Sequence, residues 1–207
     1  GNVIDPFELV ELYGLDKVRY FFMREVPFGN DGSYSHEAII TRTNADLANG
    51  LGNLAQRSLS MIAKNLDGVL PEPGQLQSED QALINACLPA LETARTAMSK
   101  QQIHKALEAI FDVVSAGDRY VDTMAPWALR KSDPDRMNSV LYTVAETVRR
   151  IAIMCLPFMP ESSGKLLDLV AVPEDKRNFA NIDDALAGGT VLPKPEGVFP
   201  RFVEKAG

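Results

Sequence analysis

The chain has 207 residues, of which 45% are hydrophobic and 24% are charged, and its formal net charge is −7. This length and composition are typical of one globular domain, or of one domain with an appendage. The acidic balance argues against a broad basic face that coats nucleic acid, because such a face must neutralise many phosphates.

The two cysteines, Cys87 and Cys155, lie singly within apolar helical patterns. Neither has a Cys or His neighbour at a zinc-binding spacing, so we expect both to be reduced core residues without a disulfide or a metal. The chain also shows no signal-peptide pattern and no apolar run long enough to cross a bilayer. These features predict a cytoplasmic protein.

Two short helices are predicted at the start of the chain. Asp5 is predicted to be the N-cap of the first helix and Pro6 its first residue, and the apolar pattern continues to Gly14. Asp16 is predicted to cap the second helix, DKVRYFFMREV. The aromatic residues of this helix are expected to pack against more than one neighbouring helix: Tyr20, Phe21 and Phe22.

The remaining chain predicts long helices joined by short loops. After a loop at residues 27–33, Ser35 caps a helix that reaches about Asn65, with a break near Thr43 and Asn44. Ser78 and Gln81 suggest a capping box at the start of the next helix. Later helices are predicted for these stretches: 78 to about 100, 102–124, 134–156, and a short one from 160.

This order of elements predicts an all-α helical bundle of four or five helices. We divide the chain into a short N-terminal connecting module at residues 1–34 and a helical bundle at residues 35–170. Residues 171–207, which are rich in proline and glycine, are predicted to form an irregular C-terminal tail packed on the surface.

The stretch NADLANGLGNLAQR, residues 44–57, has three asparagines and two glycines where a helix favours Ala, Glu or Lys. The spacing predicts that Asn49, Asn53 and Arg57 form one exposed strip opposite the buried leucines. Such a strip is either a solvated helix face or a surface whose amides and guanidinium bind the edges of splayed bases. In the second interpretation, the glycines would allow a planar ligand to approach the backbone.

The only tryptophan, Trp127, lies in APWALRK, residues 125–131, and is predicted to be in a loop. An indole in a loop bracketed by proline is either a buried hydrophobic plug or, if exposed, a platform on which a base can stack. Arg130 and Lys131 follow and are candidate phosphate contacts, or else solvated charges at a helix end.

Other polar residues carry no visible chemistry. His36 and His104 stand alone and are interpreted as structural, and Asp183 with Asp184 is interpreted as solvated charge. The sequence contains no GxxxxGK[ST], GxGxxG, GxSxG or HExxH motif. The residues alone therefore give no case for catalysis.

Four segments, in order, resemble bacterial methionyl-tRNA synthetases downstream of their ATP-binding signature loop. They are GNVIDPFELVELYGLDKVRYFFMREVPFGNDGSYSHEAI, NADLANGLGNLAQR, APWALRK and VFPRF. The resemblance spans nearly the whole chain and implies a connecting segment followed by the anticodon-binding domain. The chain does not contain the HIGH-type motif, the KMSKS loop or the zinc knuckle of the family. The resemblance therefore implies that the chain is a C-terminal part of a longer enzyme and does not catalyse the reaction alone.

By this resemblance, the anticodon-binding residues correspond to Asn49, Asn53, Arg57 and Trp127, with no catalytic residue, metal site or cofactor in the chain. The implied partners are methionine tRNA, through its CAU anticodon loop, and the catalytic domain of the same enzyme, which uses ATP. No membrane or DNA partner is expected. Two alternatives are the anticodon domain of another class I synthetase (valyl, leucyl, isoleucyl or cysteinyl) and a helical module that binds a protein.

Overall fold

The computed structural model describes residues 5–27, 29 and 34–203. Its α-helices are α1 Pro6–Tyr13, α2 Leu15–Glu25, α3 His36–Thr43, α4 Asn53–Asn65, α5 Ser78–Asn85, α6 Cys87–Ser99, α7 Ile103–Met124, α8 Pro126–Ser132, α9 Pro134–Cys155 and α10 Pro160–Leu169. A π-helix, Asn44–Gly52, joins α3 to α4, and two 3₁₀ turns, Glu174–Lys176 and Phe179–Asn181, lie in the tail. The predicted all-α class is confirmed.

Most predicted helix starts are confirmed by their caps. Asp5 accepts a hydrogen bond from the Phe7 N–H at 2.9 Å, and Ser35 accepts one from the Ala38 N–H at 3.0 Å. Asp133 likewise caps α9 through the Arg136 N–H at 3.1 Å. These motifs were predictable because each depends on residues within three positions of one another.

The predicted role of Asp16 is wrong. Asp16 lies inside the first turn of α2, and Gly14, with a φ of 87°, is the residue that precedes this helix. The buried carboxylate instead accepts a 2.6 Å hydrogen bond from the backbone N–H of Ser162, in the first turn of α10. Asp16 therefore satisfies the N-terminus of a distant helix, which local sequence does not reveal.

The helix predicted at 78–100 is two helices, α5 and α6, with a turn at Ala86. Pro89 explains the interruption, because it has no N–H to donate to the carbonyl of Asn85 and so cannot continue an α-helix through this point. The capping box predicted at Ser78 and Gln81 instead lies one residue earlier, at Gln77 and Asp80. The backbone N–H of Gln77 donates to Asp80 at 2.8 Å, so the N-cap is Gln77.

The core lies around α9, where residues 139–155 are all buried. A helix buried on every side must lie in the centre of the bundle, and α4, α6, α7 and α10 pack around it. Cys87 and Cys155 are free and fully buried, as predicted. Burial raises the pKa of both thiols to about 12, so they remain protonated.

The aromatic residues of α2 divide between two clusters. Tyr20 is fully buried in the main core against Phe111, with ring centroids 4.9 Å apart, and donates a 2.6 Å hydrogen bond to Asp46. Phe21, 1% exposed, belongs to a smaller cluster with Ile39. The expectation that this helix packs against more than one neighbour is confirmed. The predicted loop at 27–33 lies, apart from Pro27 and Gly29, outside the described residues.

The tail, as far as residue 203, is irregular, as predicted, and buried charges connect it to α9. Glu146 of α9 accepts hydrogen bonds from Arg149 at 2.7 Å and from Arg150 at 2.8 Å. Its second carboxylate oxygen accepts the backbone N–H of Leu186 at 3.0 Å. Arg149 also donates to the carbonyl oxygen of Ile182, so the central helix holds the tail through charged groups.

Candidate nucleic-acid interface

The predicted strip begins in the π-helix and continues into α4. Asn49 is exposed and lies in the π-helix, whereas Asn53 is the first residue of α4 and is half-buried. Arg57 follows one turn later, with its side chain 32% exposed. On the opposite face Leu47, Leu51, Leu54 and Ile62 are fully buried.

Arg57 is held by two carboxylates of α7. Its Nη1 donates to Asp122 at 2.8 Å and its Nη2 donates to Asp118 at 3.2 Å, while the buried Nε has no hydrogen-bond partner. The two acids stand four residues apart and therefore lie on one face of α7. The guanidinium thus has a fixed orientation, and this local cluster carries a net negative charge.

Asp118 has an unusual titration behaviour. Burial raises the pKa of its carboxyl to about 6, with Arg57 opposing this rise and the charge of Asp122 adding to it. Sequence analysis missed both acids of this cluster. The one available signal was their spacing of four residues on a helix close to the tryptophan.

The predicted loop around Trp127 is instead a helix. Ala125 has a left-handed backbone conformation with a φ of 43°, which ends α7, and buried Pro126 opens α8. Trp127 is the second residue of α8 and is 52% exposed. This exposure rules out a fully buried plug and leaves part of the residue accessible to a stacking partner.

Of the two basic residues after the tryptophan, Arg130 is tethered to α4. Its Nη1 donates to the Oδ1 of Asn65 at 3.3 Å, and Asn65 donates in turn to the carbonyl of Met61 at 2.8 Å. Lys131 is exposed at the end of α8. Both cations therefore lie on the surface that also carries Trp127.

The proposed role of the glycines in the strip is wrong. A Cβ on Gly52 would lie 2.7 Å from the carbonyl oxygen of Leu47 and 3.3 Å from the Cβ of Phe199. A Cβ on Gly50 would meet the side chain of Val114 at 3.6 Å. Gly50 thus faces α7 and Gly52 faces Phe199 of the tail, so both glycines serve packing and do not open the backbone to a ligand.

An open cavity of about 1120 Å³ begins at Asn65, beside the tether of Arg130. Its lining includes four acidic residues: Asp67, Glu72, Asp133 and Asp135. Its one basic residue, Arg136, is ion-paired with Asp80 at 2.6 Å. The negative walls disfavour a phosphate backbone, so we do not extend the candidate interface into this cavity.

Most of the other polar residues singled out in the sequence have partners within the chain. His36 makes hydrogen bonds with the hydroxyls of Tyr13 and Tyr34, whereas the buried Nδ1 of His104 has no partner. Asp183 and Asp184 pair with Arg150 and Lys176. Among the described residues, no group of three His, Cys, Asp or Glu could hold a metal ion, and no helix is long and apolar enough to cross a membrane.

Comparison with known families agrees with this architecture. A family model described as tRNA synthetases class I (M) matches residues 1–59. This match identifies the class of protein as a class I tRNA synthetase. The model described as the anticodon binding domain of methionyl tRNA ligase matches residues 70–206. The chain therefore belongs to the family of methionyl-tRNA ligase anticodon-binding domains.

Curated relatives extend the match over the entire chain. The methionine–tRNA ligase of Mesorhizobium japonicum is 65% identical over 100% of this chain and 40% of its own length. That of Brucella suis is 64% identical over 99% of this chain and 40% of its own length. The chain thus spans about 40% of the length of these relatives.

Solved structures show the same fold. Mycobacterium tuberculosis methionyl-tRNA synthetase in its apo form is 50% identical, with a TM-score of 0.94 over 98% of this chain and 42% of that protein. The complex of the same enzyme with methionyl-adenylate gives 51% identity and a TM-score of 0.94 over 97% of this chain and 40% of that protein.

Proposed function

We propose that this chain recognises the CAU anticodon of methionine tRNA. Asn49 and Asn53 bind base edges through their amides, Arg57 contributes a guanidinium of fixed orientation, and Trp127 stacks on a base. Arg130 and Lys131 contact phosphates of the loop. This proposal takes its residues from the family resemblance and its support from their placement in the fold.

One contact carries the proposal. Arg57 on α4 is bonded to Asp122 in the last turn of α7, and Trp127 follows only five residues later. Even a fully extended chain of five residues spans at most about 18 Å. Asp122, which holds Arg57, therefore lies within about 18 Å of Trp127, and this closeness supports the proposal that Arg57 and the exposed indole act on one RNA loop although they belong to different helices.

We also propose how the segments of the chain are organised within a longer enzyme. Residues 1–34 connect to a catalytic domain, residues 35–170 form the anticodon-binding bundle, and residues 171–207 form a tail that packs on it. The longer enzyme attaches methionine to tRNA in the cytoplasm and uses ATP, which the catalytic domain binds. The chain itself supplies recognition of the tRNA, without catalytic residues, a metal or a cofactor.

The test is binding of a labelled CAU anticodon stem-loop to the 207-residue chain, measured by fluorescence anisotropy. Trp127→Ala should weaken binding by about 1–3 kcal/mol, the usual contribution of one base–aromatic stack. Trp127→Phe retains an aromatic face and should restore part of the affinity. Because the indole is 52% exposed, neither variant should change the melting temperature appreciably.

The alternatives predict other results. A stem-loop with a valine-type anticodon should bind weakly, whereas a domain of another class I synthetase would prefer its own anticodon. A helical module that binds a protein would show no preference among RNA loops, and Trp127→Ala would leave its weak RNA binding unchanged. Either pattern would overturn the proposed function.

A further inference from the structure

The π-helix Asn44–Gly52 is the least regular element of the candidate interface. π-Helical residues are rare, and most occur as single turns within α-helices, often at functional sites. This element runs for 9 residues and contains Asn49, while Asn53 follows directly after it. The angle between these two asparagines therefore depends on whether the segment keeps its π-helical hydrogen bonds or reverts to α-helix.

The last segment of the tail that the structure describes contacts this π-helix at both of the helix's ends. We call residues 189–203 the C-terminal strap. At the start of the π-helix, Asn44 donates to the carbonyl of Phe202 at 3.0 Å and accepts the backbone N–H of Phe202 at 2.8 Å. At its end, Phe199, 5% exposed, packs against Gly52.

The strap is itself anchored to rigid parts of the fold. Near its start, the backbone of Leu70 pairs with Gly189 and Thr190 through two hydrogen bonds of 2.8 Å. Near its end, the ring of Phe202 packs on Tyr13, with centroids 5.1 Å apart. A strap fixed at both ends can hold the π-helix between them.

We propose that the C-terminal strap positions the two anticodon-binding asparagines by maintaining the π-helix. Asn44, Phe199 and Phe202 are positioning residues: they fix where Asn49 and Asn53 point. Reversion to α-helix would remove the wide turns and rotate Asn49 relative to Asn53, which would cost both affinity and discrimination among loops. The inference rests on the proposed function for the RNA contacts but concerns residues outside them.

The test compares Asn44→Ala with Asn178→Ala. Asn178 also makes two hydrogen bonds to backbone groups, at 3.0 and 3.1 Å, but in the tail turn before Phe179. Asn44→Ala should weaken CAU stem-loop binding roughly 3- to 30-fold, the usual range for a residue that acts on a ligand through others. Its preference for CAU over a loop with one changed base should fall as well. Asn178→Ala should change neither quantity.

A second measurement does not depend on RNA. Amide hydrogen exchange of residues 45–53 should accelerate in Asn44→Ala and in Phe199→Leu, and remain unchanged in Asn178→Ala. If the unsubstituted chain does not bind the CAU loop, the proposed function fails, and the exchange data alone decide whether the strap holds the π-helix. Unchanged exchange in both strap variants, or unchanged affinity and preference in Asn44→Ala, would overturn the inference.

Discussion

Arg57 is the residue of the interface whose geometry is most strongly determined. Two carboxylates fix its guanidinium, and α7 fixes both of them. A guanidinium held in this way does not have to lose side-chain freedom when a base binds. Because two carboxylates more than offset its positive charge, its contribution to RNA binding should lie in geometry more than in bulk attraction to phosphate.

The raised pKa of Asp118 gives a prediction at this scale. In the folded chain the pKa is about 6, whereas an unperturbed aspartate titrates near 3.9. The folded state therefore binds more protons than the unfolded state between these values, and the stabilisation from this group is present below about pH 4 and lost as the pH rises through 6. Asp118→Asn removes this dependence.

The melting temperatures of the unsubstituted chain and Asp118→Asn should therefore be compared from pH 4 to pH 8. The variant should gain stability relative to the unsubstituted chain as the pH rises from about 4 to about 6, and the difference should then level off, because the variant does not bury a carboxylate that must ionise. A difference that stays constant across this range would show that Asp118 titrates normally.

At the scale of elements, Gly52 is the point where the π-helix meets α4 and the strap. A Cβ here would lie 2.7 Å from a backbone oxygen, and a backbone oxygen cannot move aside as a flexible side chain can. Gly52→Ala should therefore lower the free energy of unfolding by about 1–3 kcal/mol, as overpacking in a core does. Urea unfolding monitored by circular dichroism measures this loss.

Gly164 in α10 provides the matched control, because a Cβ there would meet nothing within 4 Å. Gly164→Ala should stabilise the chain by about 0.5–1 kcal/mol through helix propensity alone. Equal effects of the two substitutions would mean that the close approach at Gly52 does not constrain the π-helix.

The elements also show what the sequence can predict. Caps at Asp5, Ser35 and Asp133 were correct because each is a local motif with one dominant partner. The π-helix was predicted only as a break near Thr43 and Asn44, and local sequence does not reveal its contacts with the tail, such as the bond between Asn44 and Phe202, which lie 158 positions apart. The carboxylate partners of Arg57 were missed for the same reason: nothing near residue 57 indicates which helix will face it.

In the candidate site, too, local features could be predicted from the sequence and features that depend on tertiary packing could not. Helical spacing singled out Asn49, Asn53 and Arg57, and the resemblance gave these residues and Trp127 their anticodon-binding role. The apolar pattern correctly placed the leucines opposite the strip. The helical environment of Trp127 was not predicted, because the short α8 begins at Pro126 after a single left-handed residue and has no long apolar pattern. The exposure of Trp127, which distinguishes a buried hydrophobic plug from a side chain on which a base could stack, depends on tertiary packing alone.

At the scale of the whole molecule, the buried charges of α9 join the bundle to the tail. Glu146 is 1% exposed and forms ion pairs with Arg149 and Arg150, which are also buried, and Asp183 of the tail supplies a second carboxylate to Arg150. Glu146→Gln would leave two guanidinium groups without their central partner, and should lower the free energy of unfolding by about 3–5 kcal/mol. Denaturant unfolding of the 207-residue chain measures this cost.

Glu161→Gln provides the comparison for this prediction. Glu161 pairs with Lys165 at 2.8 Å on the exposed face of α10, where solvent screens the pair, and its loss should be hardly measurable. If both substitutions had the same small effect, the Glu146 cluster would not be the anchor of the tail.

The charge of the whole molecule is consistent with recognition of a few bases. A net charge of −7 and an acidic cavity beside Asn65 disfavour binding along an extended RNA backbone. Arg130 and Lys131 are exposed cations at the end of α8, three and four residues after Trp127. The chain should therefore bind a loop locally, and specificity should come from base edges and stacking.

Fluorescence of Trp127, the only tryptophan, tests the central claim most directly. The 207-residue chain should be titrated with a CAU anticodon stem-loop and, in parallel, with the same stem carrying a scrambled loop. Anticodon recognition at this surface predicts saturable quenching by the CAU loop and little response to the scrambled one. Equal quenching by both loops, or no response to the CAU loop at concentrations where anisotropy shows binding, would contradict it.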